Sequence, residues 1–410
     1  MIPALERQPP FLLLRGLTSA SIPSFAGALA LALALALPLA CDSPTGPGRD
    51  VQRPPEVGDG WQTASLSSVG MDAGPLKDLL HLIDQTDDHR IHSLLIARNG
   101  RLVLEEYWNG VDLRPEDLTT LRKDFNRDDL HYVASVSKSI TSALAGIALD
   151  QGLVGSVDEL LFDHFPEHQD LKTEENGSIT LRHLLSFSSG FEWNEHVYGF
   201  DDPRDSHYQM FSSSDPIRHL LARPVVTTPG EVFHYNSGDT NLMGEVVKTA
   251  ASSANLMDYA EENLFEPIGI DDYAWATIGT GSHLAFASGG ISIRPRDMAK
   301  FGQLYLDGGM WNGLRVISES WVEESVEMAI PLVGDYTTLY GYGYNWWLGR
   351  YQFEGASVDY FRAAGWGGQD IFVVPELDLV VVFTAGGYYQ VRPLSVNSMI
   401  QDYIFAALVR

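Results

Sequence analysis

Strand-forming segments sit at the two ends of this 410-residue chain, and helical patterns fill the space between them. That arrangement leaves few solutions, because a sheet assembled from both ends must close around whatever the middle supplies. Near the start, Leu94-Leu95-Ile96-Ala97 and Leu102-Val103-Leu104 flank Asn99-Gly100, a two-residue turn that matches sheet twist, so a β-hairpin is predicted. Near the end, short β-prone runs cover Tyr342–Leu348, Tyr360–Ala364, Ile371–Val374 and Leu379–Thr384, with Pro375-Glu376-Leu377-Asp378 turning the last two into a second hairpin. Leu76, Leu79, Leu80 and Ile83 have helical spacing, Ser135 to Leu149 reads as a helix, and Pro295 to Leu306 as a helix opened by proline and closed by Gly308-Gly309. A last helix is predicted over Val391 to Leu408. The fold class is α/β (α+β): an antiparallel β-sheet flanked by helices, with a mostly helical inserted part. One domain spans 61–410, residues 61–134 and 281–410 forming the α/β part and 135–280 the helical part.

The first forty residues read differently. Arg7 and Arg15 precede an apolar run from Phe25 to Leu39, the order of a secretory signal peptide, expected over 1–40. The run falls short of the ~20 residues a transmembrane helix needs. The single cysteine, Cys41, follows Leu39-Ala40 and opens a polar stretch, so 41–60 is expected to be a flexible tether. This site resembles a bacterial lipoprotein processing site, with Pro38 where leucine or valine is preferred. The resemblance implies lipidation of Cys41 and a membrane-anchored protein, exported from a bacterial cytoplasm to the periplasm or beyond. An ordinary signal peptide with an incidental cysteine is the alternative. One cysteine excludes intrachain disulfides and multi-cysteine metal sites. With 27 basic against 54 acidic residues, the net charge of −27 disfavours nucleic-acid and anionic-lipid partners.

Chemistry concentrates at Ser135-Val136-Ser137-Lys138. Residues three apart share a helix face, so the Lys138 amine can sit against the Ser135 hydroxyl and take its proton. Ser135 opens the helix, where free backbone N–H groups favour developing negative charge. Lys138 runs into an Ala-Leu-rich helix that reads as buried, and burial lowers a lysine pKa toward what a general base needs.

Several stretches accompany the nucleophile: Ile179-Thr180-Leu181-Arg182-His183-Leu184-Leu185 leading to Ser188-Ser189-Gly190-Phe191, Pro229 through Gly238, Gly289-Gly290-Ile291 leading to Arg296-Asp297-Met298-Ala299-Lys300-Phe301, and Gly365-Trp366-Gly367-Gly368. Over roughly residues 61–405 the chain resembles the serine β-lactamase and penicillin-binding-protein superfamily. Within it, the chain is most similar to class C β-lactamase-like hydrolases, which include family VIII carboxylesterases and 6-aminohexanoate-dimer hydrolases. The resemblance implies a β-lactamase/transpeptidase-like fold and an acyl-enzyme mechanism. It places Tyr235 of Tyr235-Asn236-Ser237 as the phenol that relays protons with the lysine. Ser237 stands where the family has an asparagine that hydrogen-bonds the lysine and an amide substrate. A serine there can still bond to Lys138 but offers one donor and less reach. Trp366-Gly367-Gly368 matches the family's edge-strand Lys-Thr-Gly, so the cation that attracts a substrate carboxylate is replaced by an uncharged indole. Arg362, four residues earlier, would stand ~13 Å away on an extended strand, too far to substitute. By the same analogy the backbone N–H of Gln369 would join that of Ser135 as the oxyanion hole.

These features predict a serine hydrolase acting on small-molecule carboxylic esters or related acyl compounds. Alternatives are a β-lactamase, a D-amino peptidase or an oligoamide hydrolase. From another class, the alternative is a non-catalytic envelope scaffold or sensor. No cofactor or metal motif is apparent: His164 and His168 have Pro166 between them, and there is no His-Glu-x-x-His and no Gly-rich phosphate loop. No Gly-x-Ser-x-Gly elbow occurs either. The aromatic segment Tyr336, Tyr340, Tyr342, Tyr344, Trp346 and Trp347 suits an acyl pocket or, more commonly, a core.

Overall fold

The computed structural model describes residues 49–409 apart from 115–118, 196, 200, 280–282, 335 and 391. The predicted signal peptide and Cys41 lie outside the described residues. Helix α1 (Ala73–Gln85) starts at Asp72, whose carboxylate accepts the Gly74 N–H, and it buries Leu76, Leu79, Leu80 and Ile83. Strands β1 (Ile91–Arg98) and β2 (Arg101–Tyr107) form the predicted hairpin, with Asn99 and Gly100 at φ 51° and 67° as such a turn demands. A small hairpin of β3 (Asn109–Leu113) and β4 (Thr120–Asp124) follows, then β5 (His131–Tyr132) and the long α2 (Val136–Asp150).

The helical part contains α3 (Leu181–Leu185), α4 (Ser206–Ser212), α5 (Pro216–Leu221), α6 (Ser237–Ala250) and α7 (Leu256–Ala260). Strand β6 (Tyr273–Trp275) pairs with β7 (Ile291–Ile293), which also pairs with β5. This three-stranded ribbon ties the helical part to the entry of α2. Next come α8 (Pro295–Leu306), the hairpin β8 (Met310–Trp311) and β9 (Leu314–Arg315), and α9 (Glu319–Ser325). The main sheet is completed by β10 (Ile330–Pro331), β11 (Leu339–Tyr342), β12 (Trp347–Phe353), β13 (Ala356–Gly365), β14 (Gln369–Val374) and β15 (Leu379–Ala385). A last helical segment starts at α10 (Val396–Ser398) and continues to Ala407.

The sheet has eight strands in the order β10-β11-β12-β13-β14-β15-β1-β2, each pair antiparallel. Strand β1 lies between β2 and β15, so segments from the two ends of the chain pair directly, one strand in from the β2 edge, with Leu95 opposite Val382. Alternate side chains feed two cores. Leu95, Ile371, Val373, Val380 and Val382 join the large core that includes Met298 and Phe301 of α8, while Leu94, Ile96, Phe372, Val381 and Phe383 pack with α1 and the last helix. Burial on both faces explains why β15 reads as an unbroken apolar run. Truncating one α1 anchor, Leu80→Ala, costs about 2–5 kcal/mol.

Two expected elements differ in extent. The run Tyr342–Leu348 is the end of β11, a turn holding Asn345 at φ 61°, and the start of β12. The last helix begins at Val396, after Pro393, with the Ser395 hydroxyl accepting from the Ser398 N–H at 3.5 Å. Among the described residues no helix is long and apolar enough to cross a membrane.

Candidate active site

Strand β5 runs into α2 through a sharp bend. Ala134 takes φ 46°, a left-handed conformation unusual for alanine, and its carbonyl accepts the Ser137 N–H at 3.0 Å and hydroxyl at 2.7 Å. The bend sets Ser135 at the N-terminus of a helix whose residues from Val136 to Ala148 are all buried. The fifteen-residue helix directs its positive end at this position.

Lys138 is buried one turn into that helix. Its Nζ donates to Ser135 Oγ at 3.0 Å and to the Ser288 carbonyl at 2.7 Å, and stands 5.0 Å from the centre of the Tyr235 ring. The Ser288 carbonyl precedes the Gly289-Gly290 turn into β7. Burial lowers the Lys138 pKa to about 8, against an opposing pull from the Glu195 carboxylate. The Tyr235 hydroxyl bonds to Ser135, and burial drives the phenol pKa well above its usual value. The Tyr235 ring stacks on Trp347 at 5.8 Å and meets Phe187 edge-on at 5.0 Å. The structure thus brings Ser135, Lys138 and Tyr235 together within one hydrogen-bonded group.

Ser237 stands elsewhere in the network. Its hydroxyl donates to Glu195 Oε1 at 3.1 Å and its N–H to Glu195 Oε2 at 2.8 Å, so the bond expected toward Lys138 goes to a carboxylate instead. Trp193 Nε1 also donates to Glu195. The cap of α6 completes this wall: Asn236 Oδ1 accepts from Gly238 at 2.8 Å and Asp239 at 3.3 Å, and Ser189 donates to Asp239 at 2.9 Å.

The tryptophan-glycine motif is placed differently from its sequence expectation. Gly365 and Gln369 are register partners, so Trp366-Gly367-Gly368 forms the turn between β13 and β14 and lies on no edge strand. The glycine that faces Ser135 is Gly365: a Cβ there would lie 2.2 Å from the Val133 carbonyl and 3.2 Å from the Ser135 nitrogen. Ala364 packs in the Tyr235–Trp347 cluster. The backbone that runs past Ser135 is therefore Gly365 on β13. Gln369 is on the next strand, its side chain clipped to the Ala385 backbone at 2.6 and 3.1 Å. Gly367 and Gly368, at φ 89° and 101°, shape the turn and leave room for Tyr388 and Arg392. Trp366 packs edge-on against Tyr388 and Tyr389 at 5.3 and 5.1 Å. Arg362 is committed to Asp370, with Nε to Oδ1 at 2.8 Å.

The aromatic segment divides. Tyr342 and Trp347 pack with Phe187, Phe233 and Tyr235 in one cluster, whereas Tyr344 and Trp346 belong to the large core. Three contributors to the site were not singled out from the sequence: Glu195, the Ser288 carbonyl and Gly365. Glu195 carried one signal, its place just after a motif stretch in Phe191-Glu192-Trp193-Asn194-Glu195.

Comparison with known proteins identifies the family and the fold. Residues 81–395 match the Beta-lactamase family, and the chain belongs to it. It is 25% identical over 324 residues to the 6-aminohexanoate-dimer hydrolase of Paenarthrobacter ureafaciens, covering 73% of this chain and 74% of that protein. Among solved structures it is similar to a family VIII carboxylesterase, with TM-score 0.63, 16% identity and coverage of 82% and 97%. It also resembles the class C β-lactamase of Rhodobacter sphaeroides, with TM-score 0.56, 16% identity and coverage of 77% and 94%. The fold is that of the serine hydrolase superfamily built on the β-lactamase architecture, whose members are in general hydrolytic and serine-based.

Proposed function

We propose that this protein hydrolyses carboxylic esters through an acyl-enzyme on Ser135. The observation that carries the proposal is the buried Lys138 amine held 3.0 Å from Ser135 Oγ and beneath the Tyr235 ring. As the ester binds, the neutral amine takes the Ser135 proton while Oγ bonds to the carbonyl carbon. Negative charge gathers on the carbonyl oxygen, facing the Ser135 N–H and the Gly365–Trp366 peptide. The C–O bond to the alcohol then breaks, and the departing oxygen takes a proton relayed from Lys138 through the Tyr235 hydroxyl. Water, deprotonated by the same pair, attacks the acyl carbon and releases the acid and Ser135.

Two features support esters over lactams. Ala363 and Ala364 precede the glycine that faces Ser135, so the strand itself carries no cation at those two positions to attract a substrate carboxylate. Ser237 is held by Glu195, leaving no side-chain amide for an amide substrate. The similarity to a 6-aminohexanoate-dimer hydrolase supports a second reading, hydrolysis of short oligoamides.

A fluorophosphonate probe tests the chemistry, and paired rates on p-nitrophenyl esters, nitrocefin and an aminohexanoate dimer test the class. The expected result is a single adduct on Ser135 and fastest turnover of short esters. No adduct on folded protein would refute the mechanism, and faster dimer or nitrocefin turnover would move the assignment to amides.

A further inference from the structure

Three polar side chains from three separate strands converge beside the entry to α2. His92 of β1, Asp112 of β3 and His131 of β5 present ligand atoms that all lie within 4.8 Å of one another. His92 Nδ1 is 2.7 Å from His131 Nε2, and His131 Nε2 is 3.7 Å from Asp112 Oδ1. We propose that this cluster is a binding site for a zinc-type divalent ion, a structural site separate from the catalytic group.

The backbone is shaped for it. The β1–β15 register slips between Ile91 and Ser93, which makes His92 the extra residue of a bulge; bulges re-aim side chains. Two glycines give its ring room: a Cβ on Gly110 or Gly386 would lie 2.2 or 2.8 Å from His92 Nε2. The ring is fixed by stacking on Phe125 at 4.1 Å.

Outer partners of the kind that orient metal ligands are present for His131 and Asp112. His131 Nδ1 is 3.1 Å from the Tyr132 carbonyl, which assigns it the proton and leaves Nε2 as a lone pair facing the cluster. Asp112 Oδ1 accepts the Tyr388 hydroxyl at 3.1 Å and the Leu113 N–H at 2.9 Å. The nearby cation Lys123 is held by Asp129 at 2.7 Å. His131 Nε2 therefore accepts the His92 Nδ1 proton at 2.7 Å, with the Asp112 carboxylate oxygen 3.7 Å away, and a cation in place of that one proton would be held by both imidazoles and the carboxylate. His92 Nε2 is buried without a hydrogen-bond partner. On metal binding, the His92 proton moves from Nδ1 to that nitrogen, freeing Nδ1 as a ligand.

Two imidazoles and one carboxylate suit a borderline divalent ion such as zinc, with a fourth position for water. Ligands about 2.0–2.1 Å from zinc stand roughly 3.3 Å apart, so small shifts from the present separations suffice. The ion would pin the β3–β4 hairpin to the main sheet and to β5, four residues before Ser135.

The test uses tag-free full-domain protein stripped with chelator and shown folded by circular dichroism. Zinc is expected to bind with a stoichiometry of about one per chain by elemental analysis after gel filtration, and to raise Tm. Cobalt substituted for zinc is expected to give the visible absorption of a four-coordinate nitrogen–oxygen site. Asp112→Asn and His92→Gln are expected to weaken binding by more than about 100-fold, beyond the 10–100-fold typical of outer partners. The proposal is overturned if the folded wild type retains neither ion, or if both variants retain zinc as well as the wild type does. Should a variant not fold, the cobalt spectrum of the wild type decides alone.

Discussion

Glu195 accepts two hydrogen bonds from one residue, the backbone N–H of Ser237 at 2.8 Å and its hydroxyl at 3.1 Å. The carboxylate thereby fixes the start of α6 beside Tyr235 and acts on Lys138 through space, favouring the charged amine. Glu195→Gln keeps most of the bonding and removes the charge. The pH–rate inflection assigned to Lys138 is expected to move to lower pH, read from kcat/KM profiles of the two proteins. Glu195→Ala instead strands the Ser237 and Trp193 donors and is expected to cost about 2–4 kcal/mol in urea denaturation.

Lys138 titrates near pH 8 because burial disfavours its charge. As the general base it must be neutral, so kcat/KM is expected to rise about tenfold per unit up to pH 8 and then level off. Activity that stays flat from pH 6 to 9 contradicts that role.

The same shift has a stability sign. The unfolded lysine titrates near its ordinary value of 10.5, so between pH 8 and 10.5 the unfolded chain holds more protons and stability rises with pH. Below pH 8 the full penalty of burying the cation is present. Lys138→Met is therefore expected to be inactive and, at pH 7, more stable by about 1–2 kcal/mol once the lost bond to Ser288 is counted. The advantage should shrink across that window in denaturation series at stepped pH.

Tyr235→Phe keeps a ring stacked on Trp347 and removes the hydroxyl that bonds Ser135. Turnover is expected to fall about 10²–10⁴-fold with Tm nearly unchanged. Rapid-quench measurements with an activated ester should show acylation less affected than release of the acyl group.

Gly365→Ala puts a methyl 2.2 Å from the Val133 carbonyl and 3.2 Å from the Ser135 nitrogen. Either the strand or the nucleophile must shift, and the reacting oxygen loses its donors. A drop of about 10²–10³-fold in acylation rate by a fluorophosphonate is expected on protein that remains folded.

The contact between Lys138 and Ser135 was legible because helix geometry alone puts one over the other, and the hairpin was legible because Asn99-Gly100 specifies its turn. Tyr235 was found through motif context, since nothing local ties it to a residue a hundred positions earlier. Trp366 was misplaced for a physical reason: Gly365-Trp366-Gly367-Gly368 does not declare where the strand stops, and the register between Gly365 and Gln369 decides it. The late start of the final helix was readable from Pro393, whose ring cannot sit inside a helix. The His92–Asp112–His131 group had no spacing signature, because each member comes from a different strand and a bulge sets one of them.

The pairing of β1 with β15 has a consequence for how the molecule is made. During synthesis Ser135 and Lys138 leave the ribosome early, already in a segment able to coil locally. Strand β13, which carries Gly365, and strand β15, which fills the gap beside β1, emerge near the end. Such distant pairings form slowly and only once both partners exist. The growing chain thus carries Ser135 and Lys138 for most of its synthesis without the strand that faces them, and the proposed site is assembled only when the last strand closes the sheet.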